Sequence, residues 1–167
     1  MTKICLIATD AAPLLALAVA DELDALLMPD VRVLVPDMVR HELVHLIEKP
    51  GSQEVLDWIR AHATREVCVV CTEEYEESIV LQRLARGPTR RHSEQAALEV
   101  LARELATGID GAILLSDDAV FKQAHLIVRL PEHVLVLSTA AYLKRLTIAP
   151  NVSALLQRYM TAGRPWG

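Results

Sequence analysis

Short apolar segments alternate with longer segments of mixed polarity along most of the 167-residue chain. The apolar segments lack the strict polar–apolar alternation of half-exposed strands, a pattern typical of strands that are buried on both faces of a parallel sheet. The pattern predicts strands at Lys3–Thr9, Val31–Val35, Val67–Cys71, Ala112–Leu115 and Val134–Leu137.

The segments between these strands carry helical signals: apolar residues recur on one face, and Ser52, Ser93 and Gly108 stand at capping positions. The predicted helices are Leu14–Leu27, Asp37–Ile47, a helix from Ser52 through Ile59, Glu73–Arg86, Ser93–Ala106, a short helix around Phe121, Ala140–Leu146 and Val152–Met160. Strands that alternate with helices predict an α/β fold, a three-layer α/β/α sandwich with a mostly parallel central sheet. We expect one domain over residues 1–146, followed by a helical extension and a loose tail of the same domain over residues 147–167.

The composition is that of a globular protein, with 52% hydrophobic residues and a net charge of −5. The sequence shows neither an apolar run that would span a membrane nor a secretory signal pattern, so a cytoplasmic location is expected. Cys68 and Cys71 form a C-x-x-C pair inside a predicted strand, where positions three apart point to opposite faces. We therefore expect two buried structural thiols rather than a metal site or a disulfide.

Acidic residues stand at the ends of two predicted strands. Asp10 directly follows the first strand, and Asp117 and Asp118 stand at the end of the fourth. Functional groups of an open parallel sheet gather beyond the carboxyl ends of the strands, and an acid buried there is costly unless it is solvated or binds a cation. Glu42 and Glu94, each in a predicted helix, could reach the same cleft. Converging carboxylates of this kind suit Mg²⁺ or Mn²⁺.

Four segments resemble, in order, the sequence motifs of PIN-domain ribonucleases. They are Ala8–Ala18, where a strand ends in an aspartate; Val31–Leu43, where a strand and a proline precede a helix with a glutamate; Ser93–Leu98; and Ile113–Phe121. Val134–Thr139 and the helix after it resemble the closing segment of the family. The resemblance covers nearly the whole chain up to Leu146.

This resemblance implies the PIN fold and metal-dependent cleavage of single-stranded RNA or tRNA, as in the VapC-type toxins of bacterial toxin–antitoxin pairs. It implies Mg²⁺ or Mn²⁺ as the cofactor and a small antitoxin protein as a partner, and it is compatible with a homodimer. By position, it makes catalytic, metal-binding acids of Asp10, Glu42, Glu94 and Asp118, with Asp117 as a further metal-binding acid and Ser116 as a supporting hydroxyl.

Basic residues near these motifs are candidates for contacts with RNA phosphates: Arg90, Arg91 and Lys122. The arginines lie in a polar loop predicted over Gly87–His92, and a solvated charged face is the alternative interpretation of that loop.

Two other functions are compatible with the same sequence. The segment His41-Glu-Leu-Val-His45 matches the H-E-x-x-H signature of zinc peptidases, and Glu66 or Glu73 could supply a third ligand. The other alternative is an inactive PIN module that acts as a binding domain, although each of the four motifs retains an acid.

Overall fold

The structure of the protein is a computed structural model that describes residues 4–63, 66–83, 92–117 and 134–145, with the side chains of residues 81–83, 92–94 and 145 left out. The helices predicted around Phe121 and over Val152–Met160 lie outside these residues, as do most of the loop predicted over Gly87–His92 and the expected extension over residues 147–167.

Five parallel strands form the central sheet in the order β3-β2-β1-β4-β5. The strands are β1 (Leu6–Thr9), β2 (Arg32–Pro36), β3 (Val67–Val70), β4 (Ala112–Leu115) and β5 (Val134–Leu137). Each of the four neighbouring pairs is parallel. The predicted parallel sheet is therefore confirmed, and all five predicted strands are present.

Helices cover both faces of this sheet, which confirms the predicted α/β fold with three layers. Within the described residues they are α1 (Ala11–Val19), α2 (Asp37–His45), α3 (Ser52–His62), α4 (Glu73–Arg83), α5 (His92–Leu105) and α6 (Thr139–Arg145). Among these described helices, none combines the length and the apolar character needed to cross a membrane.

Two apolar cores, one on each face of the sheet, hold the layers together. Ile7 of β1 points into a core shared with residues of α1, α3 and α6, including Leu14, Trp58 and Tyr142. The neighbouring residue of β1, Leu6, points into a second core shared with residues of α5 such as Leu101. Because successive strand residues point to opposite faces, apolar residues at every strand position are what a sheet covered on both sides requires.

The first helix is shorter than predicted. It ends at Val19 rather than Leu27, and a separate 3₁₀ turn over Leu23–Leu26 follows. The chain leaves the helix through Asp21, whose φ of 58° is left-handed, and the Asp21 and Glu22 N–H groups donate to carbonyls of the last helical turn. This is a Schellman ending in which an aspartate occupies the position usually held by glycine, so no glycine in the sequence marks the end of the helix.

The two cysteines of the C-x-x-C pair lie in different surroundings. Cys68, within β3, is partly buried and packs against the core beside α5. Cys71 follows the strand and is exposed. The expectation of a buried thiol is therefore wrong for Cys71, because β3 ends at Val70 and the chain has already left the sheet at residue 71.

Candidate functional site

Polar residues follow every strand at the carboxyl edge of the sheet. Because the strands are parallel, these residues all lie along the same edge, in the order Thr72, Asp37, Asp10, Ser116 and Ser138 from β3 across to β5. From β1 the chain continues to β2 and β3 on one side of the sheet, whereas β4 and β5 lie on the other side. The crevice between the ends of β1 and β4 is therefore the topological switch point, where open α/β sheets bind their ligands.

Asp10 lies at this switch point and is only 3% exposed. The register pairs Thr9 with Leu115, which places Asp10 opposite Ser116 on the neighbouring strand. The Ser116 hydroxyl, itself buried, donates to Asp10 Oδ2 over 2.8 Å. A buried carboxylate is costly unless it is hydrogen-bonded, ion-paired or bound to a cation, so this position suits a metal ligand.

Asp117 makes a different set of contacts. Its Oδ1 accepts a hydrogen bond from the Thr139 N–H, and its Oδ2 accepts one from the Thr139 hydroxyl. Both donor–acceptor distances are 2.7 Å. Thr139 is the first residue of α6, so the carboxylate satisfies a backbone donor that the helix itself leaves unpaired. These two hydrogen bonds give Asp117 a structural role at the start of α6, and its metal-binding role stays a prediction.

Asp37 is a further acid at this edge that was not among the predicted site residues, and it follows β2 as Asp10 follows β1. Its carboxylate accepts the Thr72 hydroxyl over 2.6 Å and the Thr72 N–H over 3.1 Å. Thr72 follows β3 and is buried, and its oxygen in turn accepts the N–H of Tyr75 in α4. The signal that singles out Asp10, an acid directly after a buried strand, also holds for Asp37. Its second position, as the first residue of α2, obscured this signal in the sequence.

Glu42 lies on the inward side of α2 and is partly buried. It stands one turn after Met38 and Val39, both of which are buried, and α2 packs against α1, α3, α4 and α5. The helix begins directly after β2, so Glu42 lies above the carboxyl edge of the sheet.

The start of α5 lies near the same edge. At the other end of the helix, Glu104 forms an ion pair with Arg32, with a nitrogen–oxygen distance of 2.8 Å. Arg32 is the first residue of β2 and therefore lies at the amino edge of the sheet. Earlier in the helix, Glu99 accepts the N–H groups of Glu73 and Glu74, which begin α4 after β3. The direction of α5 therefore places the backbone of Glu94, in its first turn, towards the carboxyl edge.

The remaining site predictions lie outside the described residues: the side chain of Glu94, and Asp118, Arg90, Arg91 and Lys122. Of the predicted residues, the structure brings Asp10, Ser116 and Asp117 together at the ends of β1 and β4. Among the side chains that the structure describes, no three histidine, cysteine, aspartate or glutamate residues form a group that could hold a metal ion.

The two histidines of the H-E-x-x-H segment lie side by side on α2. Their ring centroids are 4.1 Å apart, and the ring of Tyr75 lies 5.1 Å from that of His41. Burial lowers the pKa of His41 from its usual value, and the neighbouring His45 lowers it further, whereas Asp37 raises it. Of the two suggested third ligands, Glu66 lies beside His62 before the start of β3, at the opposite edge of the sheet.

Comparison with known proteins adds no family: no protein-family model matches the chain, and no curated protein matches its sequence.

Proposed function

We propose that this protein is a PIN-domain endoribonuclease that cleaves single-stranded RNA or tRNA in a divalent-metal-dependent reaction. The buried Asp10 carboxylate at the topological switch point is the observation that carries the proposal. The described side chains fit such a centre in part, because Asp10 offers a carboxylate oxygen held in place by Ser116. Oxygen donors of this type suit Mg²⁺ or Mn²⁺.

Asp10, Glu42, Glu94 and Asp118 would hold the metal, as the family resemblance implies. When bound, Mg²⁺ or Mn²⁺ lowers the pKa of a water molecule and stabilises the charge that develops on the phosphate. Asp10 contributes a carboxylate from the floor of the cleft, and Glu42 contributes one from α2 above it. Ser116 would be a positioning residue, since its hydroxyl donates to one oxygen of Asp10.

The biological setting that we propose also rests on the resemblance. A small antitoxin protein that blocks the cleft would control the nuclease, as in VapC-type pairs, and two copies of the chain would be able to form a homodimer. Arg90, Arg91 and Lys122 would contact RNA phosphates beside the acidic cleft.

RNA cleavage by the purified protein tests this function. We expect cleavage of single-stranded RNA with Mg²⁺ or Mn²⁺ and none with EDTA. Asp10→Asn and Glu42→Gln should abolish it, whereas Asp57→Asn, on the exposed side of α3, should leave it unchanged. Full activity in the Asp10→Asn protein would refute the proposal, and absence of cleavage in the folded wild type on several RNAs would favour the inactive binding module.

The Ser116 hydroxyl offers a subtler test of the same centre. Ser116→Ala should weaken the apparent affinity for Mg²⁺ about 10–100-fold, because residues that orient metal ligands commonly contribute that much. High Mg²⁺ concentration should restore much of the activity. An unchanged Mg²⁺ dependence of cleavage in Ser116→Ala would show that Asp10 does not depend on this hydrogen bond for its role.

A further inference from the structure

The histidine pair of α2 is a feature that the proposed nuclease does not use. His41 and His45 are four residues apart on one helix, so their side chains project from the same side one turn apart. The ring centroids are 4.1 Å apart, and the planes are tilted by 46°. Two imidazoles at this spacing can bind one ion together if each presents a ring nitrogen with a free lone pair.

A backbone hydrogen bond fixes which nitrogen His45 presents. His45 Nδ1 lies 3.0 Å from the carbonyl oxygen of His41. A carbonyl oxygen can only accept, so Nδ1 carries the proton in the neutral imidazole, and Nε2 keeps its lone pair. Metal-binding histidines are commonly oriented in this way, with the other ring nitrogen donating to a backbone carbonyl. His45 is also exposed, so its Nε2 is reachable from solvent.

His41 contributes the second nitrogen. Its Nε2 is buried and has no hydrogen-bond partner within the described part of the protein. Buried polar atoms normally have a partner, so an atom without one marks a place that a ligand would satisfy. The ring of Tyr75 packs edge-on against the ring of His41, with the ring centroids 5.1 Å apart.

We propose that His41 and His45 bind one late first-row transition-metal ion, of the class of Ni²⁺, Cu²⁺ and Zn²⁺, at a site separate from the carboxylate cleft. Imidazole nitrogens suit these ions, whereas Mg²⁺ and Mn²⁺ prefer oxygen. Water completes the coordination, because the described side chains supply no third protein ligand. Zinc peptidases use three protein ligands, whereas the proposed site needs only this histidine pair. A bound ion would link the last two turns of α2, the helix that also carries Glu42.

Calorimetric titration of the full chain without a histidine tag, using NiCl₂ in excess MgCl₂, tests this inference. We expect one Ni²⁺ per wild-type chain, and at least about tenfold weaker binding in both His41→Gln and His45→Gln, as expected when one of two ligands is lost. His62→Gln is the matched control, since it replaces a histidine on α3 outside the pair, and it should bind like the wild type. Wild-type affinity in His45→Gln would overturn the proposal, and so would complete competition by Mg²⁺.

Two further measurements keep the result interpretable. Far-ultraviolet circular dichroism of each variant shows that α2 is intact, and His45→Arg serves as a second substitution if His45→Gln does not fold. The Cu²⁺ electron paramagnetic resonance spectrum of the wild type should show coupling to two nitrogen ligands, and His45→Gln should lose it. Glu42→Gln should bind Ni²⁺ normally, so loss of nuclease activity and loss of this site can be told apart.

Discussion

Replacing Asp117 should destabilise the protein rather than only inactivate it. Both carboxylate oxygens accept hydrogen bonds from Thr139 at the start of α6, each over 2.7 Å. Asp117→Asn removes the charge but keeps one oxygen, which can accept the Thr139 N–H, and its NH₂ group can donate to the Thr139 hydroxyl oxygen. We therefore expect both hydrogen bonds at the helix start to weaken from charged to neutral ones.

The expected loss of stability follows from the change of these hydrogen bonds from charged to neutral. A hydrogen bond to a charged group contributes about 1.5–3 kcal/mol, and a neutral one about 0.5–1.5 kcal/mol. Asp117→Asn should therefore cost about 2 kcal/mol, which corresponds to a fall in Tm of about 4–8 °C for a chain of this length. The loss should be global, because α6 carries Tyr142 and Leu143, which are buried in the main core.

The assay is urea unfolding monitored by circular dichroism. EDTA is present, so that metal binding does not contribute to the measured stability. Thr139→Val, which removes only the hydroxyl donor, should cost about 1–2 kcal/mol. The two changes together should cost less than their sum, because they break a shared interaction. A second titration in Mg²⁺ completes the test. If Asp117→Asn unfolds at the wild-type urea concentration in EDTA but is not stabilised by Mg²⁺ as the wild type is, Asp117 is a metal ligand and not a structural residue.

Three further outcomes follow from buried polar contacts elsewhere. Asp10→Asn should have a Tm in EDTA no lower than that of the wild type, because a buried charge is removed while the shape of the side chain is kept. Added Mg²⁺ should raise the Tm of Asp10→Asn less than that of the wild type. A lower Tm in EDTA with an equal rise in Mg²⁺ would mean that Asp10 is only structural. Asp37→Asn should lower the free energy of unfolding by about 2 kcal/mol in urea titration, because its carboxylate accepts two hydrogen bonds from Thr72. Burial raises the pKa of Tyr142 to about 12, above its unfolded value, so stability should be unaffected below pH 10 and fall as the pH rises from 10 towards 12. Tyr142→Phe should lower the free energy of unfolding by about 1 kcal/mol at pH 8, because the hydrogen bond to the Ala25 carbonyl is lost. It should also reduce the fall in stability between pH 8 and pH 11, which urea titrations at the two pH values would show.

The layers and the strand order of the sheet differ in how far the sequence determines them. Strands covered on both faces must be apolar at every position, so segments such as Ala112–Leu115 are visible directly in the sequence. The order β3-β2-β1-β4-β5 is not visible there, because it depends on which strand edges pair after collapse. The end of α1 was missed for a local reason: Asp21 adopts a left-handed conformation that aspartate reaches less often than glycine.

The candidate site shows the same division. Asp10 could be predicted, because an acid directly after a buried strand is conspicuous in any parallel α/β sequence. The contacts that distinguish Asp10 from Asp117 could not be predicted from the sequence, since they depend on the register of the strands. The pairing of Leu115 with Leu137 places Asp117 level with Thr139, and the pairing of Thr9 with Leu115 places Asp10 level with Ser116. Two acids that look equivalent in the sequence thereby acquire different partners.

The same arrangement occurs twice along the carboxyl edge, once on each side of Asp10. Asp37 after β2 accepts the N–H and hydroxyl of Thr72 after β3, and Asp117 after β4 accepts the N–H and hydroxyl of Thr139 after β5. In both cases an inner strand supplies the acid, and the threonine stands at the start of the helix that follows an outer strand. These pairs fix the starts of α4 and α6, the helices that follow the two outermost strands. Asp10 stands between them at the switch point, where its carboxylate accepts the hydroxyl of Ser116. Loss of a flanking acid should therefore appear first as reduced stability, and loss of the central acid as reduced cleavage.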